Sequence, residues 1–271
     1  MEERVNSSNT KPASGHIAFE GIRVRFSSAA GQDVLVMDDF DLEIPAGQFV
    51  AIVGPSGCGK STLLRVLSGL VRADAGTALI DGLTADETSE RIGFMFQRDT
   101  LLPWATVQDN ISIGLELAHA PAATAKERIR ELVDFLKLTG FERHMPQQLS
   151  GGMRQRVSLG RLLAYDPDIF LMDEPFGALD SQTKAVMGRE LLRIWERHQR
   201  TVLFVTHDIE EAVTLSDRVI VMSLRPGAIR LDLSIDLPRP RDPRLLRKEP
   251  AYIDYVDRIW REIDAGASAL G

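Results

Sequence analysis

The first hundred residues alternate short apolar segments with turn signals, a pattern typical of β-structure. Apolar and polar positions alternate near the end of Ile17–Phe26 and throughout Phe40–Ile44, with a predicted turn at Gly31–Asp33 between them. Such alternation predicts strands with one buried face. The run Gln48–Val53 is almost continuously apolar, which predicts a fully buried strand. Two shorter strands are predicted at Thr77–Ile80, before an Asp81–Gly82 turn, and at Arg91–Phe96.

From Leu101 to about Leu138 the apolar residues change to helical spacing. They recur every three or four positions, as at Ile129, Leu132, Val133 and Leu136. This period predicts a helical insert, because strand patterns disappear over the same stretch. A glycine-rich point at Leu149–Val157 then opens a further helix that reaches Leu163.

Strands and helices alternate in the next part of the chain. Ile169–Asp173 and Thr201–His207 are predicted strands on either side of a helix at Ser181–Gln199. Continuously apolar strands separated by a helix imply a parallel sheet covered on both faces, so the predicted class is α/β. Two more strands are predicted at Arg218–Met222 and Ile229–Leu233.

The two ends of the chain differ in composition from this core. Residues 1 to about 15 are polar and aperiodic, which predicts a loose tail. The prolines of Leu237–Pro243 predict a stiff linker, and a closing helix follows it. One face of that helix is predicted to carry Tyr252, Ile253, Val256, Ile259, Trp260 and Ile263. The predicted units are therefore 1–15, 16–237 and 238–271.

Overall composition favours a soluble globular protein. The 271 residues are 44% hydrophobic and 26% charged. There is no apolar run long enough for a membrane helix, and the N-terminus lacks the apolar core of a signal peptide, so we expect a cytoplasmic protein unless a partner tethers it. The single cysteine agrees with a reducing compartment. A net charge of -7 argues against a nucleic-acid partner.

A glycine-rich loop joins the buried strand Gln48–Val53 to a predicted helix at Leu63–Leu67. Its glycines admit backbone angles closed to other residues, so several N–H groups can point at one anion beside a helix N-terminus. Lys60 can reach the β- and γ-phosphates of a nucleotide, and the Ser61 hydroxyl can hold Mg²⁺. The flanking strand and helix favour this interpretation over a surface glycine turn. The loop and first helical residues are Gly54, Pro55, Ser56, Gly57, Cys58, Gly59, Lys60, Ser61 and Thr62.

Four polar residues at strand ends are candidates for chemistry on the nucleotide. Asp173 is placed to hold Mg²⁺, and Glu174 to polarise a water in line with the γ-phosphate. His207 and Gln97 follow other strands, and ligands bind at this edge of a parallel sheet. His207 could contact phosphate, and Gln97 could contact metal or attacking water. The alternatives are a solvated acidic turn and a structural histidine, and Gln97 taken alone favours neither interpretation.

Ser150, Gly151 and Gly152 form a second helix N-terminus that can bind an anion but has no lysine of its own. The alternative is an ordinary helix cap, for which serine is common.

The segment Leu149–Arg156 resembles the signature motif of the ATP-binding-cassette (ABC) ATPases. The glycine-rich loop, Gln97, Asp173–Glu174, Gly177–Asp180 and His207 stand in that family's order, so six motifs match over about residues 17–235. The resemblance implies a P-loop NTPase core with a mostly parallel sheet, an antiparallel β subdomain and an α-helical subdomain at about 98–164. It also implies ATP and Mg²⁺ as cofactors.

The resemblance further implies a head-to-tail dimer of two copies. In that family the signature motif of one subunit completes the nucleotide site of the other, so Ser150, Gly151 and Gly152 would contact the γ-phosphate bound at the second copy's Lys60. Phe26 would stack on adenine, Asp180 would lie at the dimer seam, and His207 would hold the γ-phosphate.

Three positions depart from the family pattern, and none removes a catalytic group. Phe26 replaces tyrosine, Met153 replaces glutamine and Gly177 replaces serine. Cys58, inside the loop, is interpreted as a small filler in a variable position. We expect a maleimide to modify it and MgATP to protect it.

Two further segments are similar to the ATPase subunits of nitrate, sulfonate and taurine importers. They are Gln97–Trp104, and Arg225–Gly227 together with Leu237–Arg241. The resemblance implies that the helical insert receives a coupling helix from a membrane permease at the inner face of a bacterial membrane, with a secreted solute-binding protein as an indirect partner. The alternative is that Pro103 and Trp104 pack inside the insert.

Two other functions are weighed against an importer ATPase. A soluble ABC protein acting on DNA or ribosomes would carry a long coiled coil or two cassettes, whereas this chain has a short insert and one cassette. A small-molecule P-loop kinase would need an acceptor site and would leave Ser150–Gly152 and His207 without a role.

Overall fold

The computed structural model describes residues 14–27 and 33–268. Its strands are β1 (Ile17–Ser27), β2 (Asp33–Ile44), β3 (Phe49–Val53), β4 (Ala75–Ile80), β5 (Ile92–Met95), β6 (Ile169–Asp173), β7 (Thr201–Val205), β8 (Arg218–Met222) and β9 (Ile229–Ser234). Its α-helices are α1 (Lys60–Leu67), α2 (Ala85–Thr88), α3 (Val107–Leu117), α4 (Ala122–Phe135), α5 (Gly151–Tyr165), α6 (Ser181–His198), α7 (Ile209–Leu215), α8 (Pro243–Leu246) and α9 (Pro250–Ser268).

Two sheets organise these elements. The larger has the strand order β5-β6-β7-β3-β8-β9, in which β9 alone pairs antiparallel. The smaller is an antiparallel sheet of order β2-β1-β4. The predicted P-loop core with an antiparallel β subdomain is confirmed. The strand β2 is longer than the predicted Phe40–Ile44, and most of the predicted Gly31–Asp33 turn lies outside the described residues.

Both faces of the parallel sheet are buried, which explains why its strands read as continuous apolar runs. In β3, Val50 and Ile52 pack with α1 and the small sheet, whereas Ala51 and Val53 pack with α7 and α9. In β7, Phe204 packs on the opposite face from Leu203, towards the helical subdomain. Each strand therefore contributes its side chains to two cores.

Helices α3, α4 and α5 form the predicted helical subdomain. Helices α3 and α5 approach so closely at Gly114 that a Cβ atom there would lie 2.2 Å from the Arg161 carbonyl oxygen. Glycine is required at this contact because any side chain would collide with that backbone. The close crossing fixes α5, whose N-terminus carries the signature motif.

The segment predicted as a linker is packed against the parallel-sheet core. The buried Arg241 side chain donates six hydrogen bonds to carbonyl groups of the surrounding backbone. Its acceptors are Val213, Thr214, Ser216, Ile235 and Leu237. Residues 237–243 thus fasten α8 and α9 to the domain.

The apolar face of α9 is narrower than predicted. Tyr252 and Ile259 are buried and Val256 and Ile263 are partly buried, all in the core that α7 and α9 form with Ala51 and Val53 of β3. Ile253 and Trp260 belong to the same predicted face but are 48% and 51% exposed, so the core covers only part of that face. They stand seven residues apart, on a neighbouring stripe of the helix that the core does not reach.

At the N-terminus, only the last two residues of the predicted tail lie within the described residues. The backbone N–H of Gly15 donates to the Asp81 carboxylate at 2.9 Å, and its carbonyl accepts from Thr201. This residue is therefore bound to the core.

Candidate active site

The glycine-rich loop lies between β3 and α1, as predicted. A Cβ atom at Gly54 would lie 2.6 Å from the Met222 carbonyl oxygen, and Gly59 has a φ of 108° at the residue before α1. Both positions need glycine, the first for space and the second for its backbone angle. The loop is thus drawn tightly over the end of the sheet, with the N-terminus of α1 beside it.

Lys60 folds back over this loop. Its Nζ donates to the carbonyl oxygens of Gly54 and Pro55 at 2.7 and 2.9 Å, and its side chain is largely buried. Carbonyl groups satisfy the ammonium without neutralising it. A full positive charge therefore remains beside the loop, as an anionic phosphate requires.

Ser61 and Asp173 meet across the end of the sheet. The Ser61 Oγ donates to Asp173 Oδ1 at 2.7 Å. Burial raises the pKa of the Asp173 carboxyl, and the Ser61 hydrogen bond opposes this rise. Two oxygen donors at this separation fit Mg²⁺, which prefers oxygen ligands and keeps several waters. Gln97, the third predicted metal ligand, lines the cavity beside them.

The Glu174 carboxylate is the meeting point of three strand ends. Its Oε2 accepts from Gln97 Nε2 at 3.0 Å and lies 3.3 Å from His207 Nδ1. The sequence predicted that these residues would share one edge of the sheet, and the structure brings all three together.

Glu174 also holds an unusual backbone conformation. Its φ is 48°, and its N–H donates to the Val205 carbonyl at 2.9 Å. A left-handed conformation of a non-glycine residue costs of order 1–3 kcal/mol and persists where surrounding contacts impose it. Here those contacts aim the carboxylate along the sheet edge.

A cavity of about 290 Å³ is lined by seven of the fourteen predicted nucleotide-binding residues. Phe26, 43% exposed at the end of β1, forms one wall, as expected for a ring that stacks on a base. The cavity also contains Val36 and Arg225, which the sequence did not identify as site residues. Its described wall consists of Phe26, Val36, Ser56, Gly57, Gly59, Lys60, Ser61, Thr62, Gln97, Glu174 and Arg225.

Cys58 does not face this cavity. Its side chain is 0% exposed and belongs to the core under the small sheet, where its Sγ lies 3.7 Å from Lys60 Nζ. The prediction that a maleimide modifies Cys58 is therefore wrong, because a reagent cannot reach the sulfur without opening the core. Cys58 therefore contributes only its backbone to the surface of the phosphate-binding loop.

The signature motif lies apart from the cavity of its own chain. Ser150 caps α5 by accepting from the Met153 N–H at 3.3 Å, and the cavity wall does not include Ser150, Gly151 or Gly152. A Cβ atom at Gly151 would meet only the end of Arg154 within 4 Å. This helix N-terminus is therefore open to an incoming group.

Arg154 connects the signature motif to the loop after Gln97. Its Nε donates to Asp99 Oδ2 at 2.8 Å, and its Nη1 donates to the Leu149 carbonyl at 2.8 Å. The cavity edge and the signature helix are thereby linked by one side chain.

Asp180 also lies outside the cavity wall. It caps α6 by accepting from the N–H groups of Gln182 and Thr183, each at 3.0 Å. Hydrogen bonds from the Thr183 hydroxyl and backbone lower the pKa of the Asp180 carboxyl. The sequence predicted Asp180 at a dimer seam, and this stays a prediction.

A half-buried carboxyl on α7, four residues after His207, was also missed. Glu211 accepts from the Thr206 hydroxyl at 2.5 Å, and burial raises its pKa to about 7. Nothing in its local sequence distinguishes it from the adjacent exposed Glu210, because the difference arises only when α7 packs against β7.

Comparison with known proteins agrees with this geometry. The sequence model of the family described as ABC transporter matches residues 37–177. An uncharacterized ABC transporter ATP-binding protein (MJ0412) of Methanocaldococcus jannaschii is 45% identical over 229 residues, covering 84% of each chain. The aliphatic sulfonates import ATP-binding protein SsuB of Bacillus cereus is 42% identical over 225 residues, covering 83% of this chain and 88% of SsuB.

A solved structure shows the same fold. The ATP-binding cassette MJ0796, in a dimeric post-hydrolysis state bound to ADP and Pi, superposes with a TM-score of 0.74 at 31% identity, over 82% of this chain and all of that chain. Among the residues described here, no helix combines the length and hydrophobicity needed to cross a bilayer. The chain belongs to the ABC transporter family and is one of its ATP-hydrolysing, ATP-binding subunits.

Proposed function

We propose that this chain energises an ABC importer for an aliphatic sulfonate or a related small solute such as taurine or nitrate. Two copies would enclose two ATP molecules, and hydrolysis would release the dimer and reset a membrane permease. The relationship to the sulfonate import protein SsuB supports the solute class. The observation that carries the catalytic role is the contact of Gln97 and His207 with one Glu174 carboxylate oxygen.

Glu174 is the proposed general base. It accepts a proton from water as the water oxygen attacks the γ-phosphorus, the bond to the β-phosphate oxygen breaks, and ADP leaves with that electron pair. Gln97 holds the carboxylate oxygen at 3.0 Å and orients the water, and His207 contacts the γ-phosphate oxygens. Lys60 binds the β- and γ-phosphates at the same loop.

Mg²⁺ supplies charge neutralisation of the developing phosphate oxygens when it is bound. Ser61 and Asp173 would hold it, because their oxygen atoms already lie 2.7 Å apart. Gln97, which lines the cavity together with Ser61, is the remaining candidate ligand.

We propose that the signature motif of a second copy of the chain completes the nucleotide site. Ser150, Gly151 and Gly152 form an open helix N-terminus outside the cavity of their own chain. Placed against Lys60 of a second copy, they would donate N–H groups to the γ-phosphate. The dimeric assembly of the related cassette MJ0796 supports this arrangement.

The proposed contact with the permease is the loop that presents Trp104. Trp104 is 72% exposed, so it does not pack inside the helical subdomain. The loop beneath it is rigid, because the fully buried Asn110 side chain bonds backbone groups of Leu102, Ala105 and Thr106. Tryptophan is enriched at protein interfaces because its ring is apolar and its N–H can still donate a hydrogen bond, which supports a contact here.

By the same reasoning the subunit would sit at the inner face of the membrane. A secreted solute-binding protein would select the cargo, which never contacts this chain.

The catalytic assignment is tested with Glu174→Gln. We expect ATP hydrolysis by the purified chain to fall at least 100-fold, because the amide cannot accept the proton, while ATP still binds. The matched control is Glu210→Gln, an exposed glutamate paired with Arg247. If Glu174→Gln hydrolyses ATP at the parental rate, the assignment of the base is wrong.

The transport assignment is tested by reconstitution with the permease and binding protein of a sulfonate importer from the same organism. We expect Trp104→Ala to keep the ATPase rate of the free chain but to lose stimulation by the permease and uptake of sulfonate. Leu70→Ala, another exposed apolar residue, is the control. Co-purification of the parent chain with DNA or ribosomes, and not with an integral membrane protein, would instead favour a soluble ABC ATPase.

A further inference from the structure

The loop between β8 and β9, residues 223–228, packs directly on the phosphate-binding loop. The Met222 carbonyl oxygen lies 2.6 Å from where a Cβ atom of Gly54 would be, and the Cys58 carbonyl oxygen lies 2.2 Å from the corresponding position at Gly227. Both contacts are backbone against backbone. The two loops therefore approach as closely as glycine permits.

Hydrogen bonds hold the 223–228 loop in this position. The Gly227 N–H donates to the Val36 carbonyl at 2.7 Å, which ties the loop to β2. Across the base of the loop, the Ser223 N–H donates to the Ala228 carbonyl at 2.9 Å, and the Ala228 N–H donates to the Ser223 hydroxyl at 3.0 Å. These hydrogen bonds hold the backbone of the loop in place at its tip, where Arg225 lies.

The Arg225 guanidinium lies over Gly57. The Nε donates to the Gly57 carbonyl at 2.8 Å, and Nη2 lies 3.0 Å from where a Cβ atom of Gly57 would be. A Cβ atom at Gly57 would crowd the guanidinium, which would have to shift by a few tenths of an ångström. Within residues 14–27 and 33–268, neither Nη atom has a hydrogen-bond partner, and no carboxylate pairs with the charge.

Arg225 also lines the cavity that contains Lys60 and Phe26. Four N–H donors on the two Nη atoms are thus free at the wall of a site for a polyanion. The sequence already supplies Lys60 at this cavity, so Arg225 adds a second cation that is independent of the six family motifs.

We propose that Arg225 is a nucleotide-binding residue whose Nη groups donate to the phosphates of ATP. A guanidinium binds phosphate oxygens through two parallel hydrogen bonds, and these charge-assisted bonds are stronger than neutral ones. The Nε contact with Gly57 orients the planar group in advance, so less side-chain entropy is lost on binding. This assignment rests on the proposed ATP-binding function and adds a residue to it.

The competing role for Arg225 is purely structural support of the phosphate-binding loop through Gly57. The two roles differ in their response to salt. A direct contact between a guanidinium and phosphate weakens as salt screens it, so its removal reduces the salt dependence of nucleotide affinity. A structural support would instead lower the melting temperature of the nucleotide-free protein and leave that salt dependence unchanged.

The test is isothermal titration of the full chain with MgADP and with a non-hydrolysable MgATP analogue, between about 50 and 300 mM salt. We expect Arg225→Ala to weaken binding of the triphosphate about tenfold at low salt. The salt dependence should be shallower and the melting temperature of the nucleotide-free protein unchanged. Arg225→Lys should recover part of the affinity through its charge, and Arg72→Ala, an exposed arginine outside the cavity, should bind like the parent.

Three results would overturn this inference. Arg225→Ala could bind within twofold of the parent, it could lose no more affinity than Arg72→Ala, or it could lose affinity with an unchanged salt dependence and a lower melting temperature. If the parent chain itself binds neither nucleotide, the proposed ATP-binding function is wrong, and the role of Arg225 is wrong with it. A parent that binds and an Arg225→Ala variant that binds equally well would overturn the role of Arg225 alone.

Discussion

Glu211 is expected to make the protein less stable as pH rises through neutrality. The residue is half-buried, and desolvation of its carboxyl raises the pKa from an ordinary 4.5 to about 7. Desolvation is the main cause, and the negative charges of Asp208 and Glu174 add to it, while the Thr206 hydroxyl and Lys184 oppose it.

The direction of the change in stability with pH follows from proton binding to Glu211 in the two states. The folded state holds the Glu211 proton more tightly than the unfolded state, so the unfolded state gains relative stability as pH rises. Each pKa unit corresponds to 1.36 kcal/mol, so the interval from 4.5 to about 7 corresponds to about 3.4 kcal/mol when both states are fully ionised. Roughly 2.5 kcal/mol of this develops between about pH 5 and pH 8.

The perturbation is Glu211→Gln, which removes the charge and keeps an oxygen acceptor for the Thr206 hydroxyl. We expect the free energy of unfolding of the variant, relative to the parent, to increase by about 2.5 kcal/mol from about pH 5 to pH 8. Urea unfolding followed by circular dichroism at several pH values measures this difference. Glu210→Gln is the control, because it makes the same substitution at the adjacent, exposed position of the same helix.

If the difference in free energy of unfolding between the parent and Glu211→Gln is the same at every pH in this range, the reasoning is refuted. It would mean that Glu211 titrates alike in both states, and that the desolvation of its carboxyl is not maintained in solution.

Three other outcomes follow from the same structure. Arg241→Met should lower the free energy of unfolding by about 3 kcal/mol or more in urea titrations, because buried carbonyl groups lose their donor, whereas the exposed Arg244→Met should change it by less than about 0.5 kcal/mol. Asn110→Ala should cost about 2 kcal/mol in the same assay and should increase protease cleavage within residues 101–106, since the Asn110 amide holds that loop. Cys58 should resist maleimide in the folded protein with or without MgATP and react at the rate of unfolding in urea; rapid labelling of the native chain would contradict its burial.

Much of the fold could be predicted because its signals are local. The continuous apolar runs at Phe49–Val53 and Ile169–Asp173 require burial on both faces, and the helix between successive strands requires a parallel crossover. Parallel strands place their carboxyl ends on one edge, so the meeting of Gln97, Glu174 and His207 followed from topology.

The residues that the sequence did not assign depend on packing between distant segments. Arg225 reaches the cavity because the 223–228 loop is supported by Gly54 and Val36, more than 160 residues earlier. Cys58 points into the core because the loop turns its side chain away from the phosphates, which the glycine pattern does not specify. On α9, the sequence cannot indicate how much of an apolar face the core will cover, so the exposure of Ile253 and Trp260 was not predicted.

The central claim is that a catalytic site is complete only when two copies of this chain meet. Light scattering coupled to size exclusion of Glu174→Gln, saturated with MgATP, measures it most directly. We predict a mass twice the 30.1 kDa of one chain, and a return to one chain when Ser150→Arg is added. A particle that stays at 30.1 kDa with bound MgATP, even in the presence of its permease, would contradict the account.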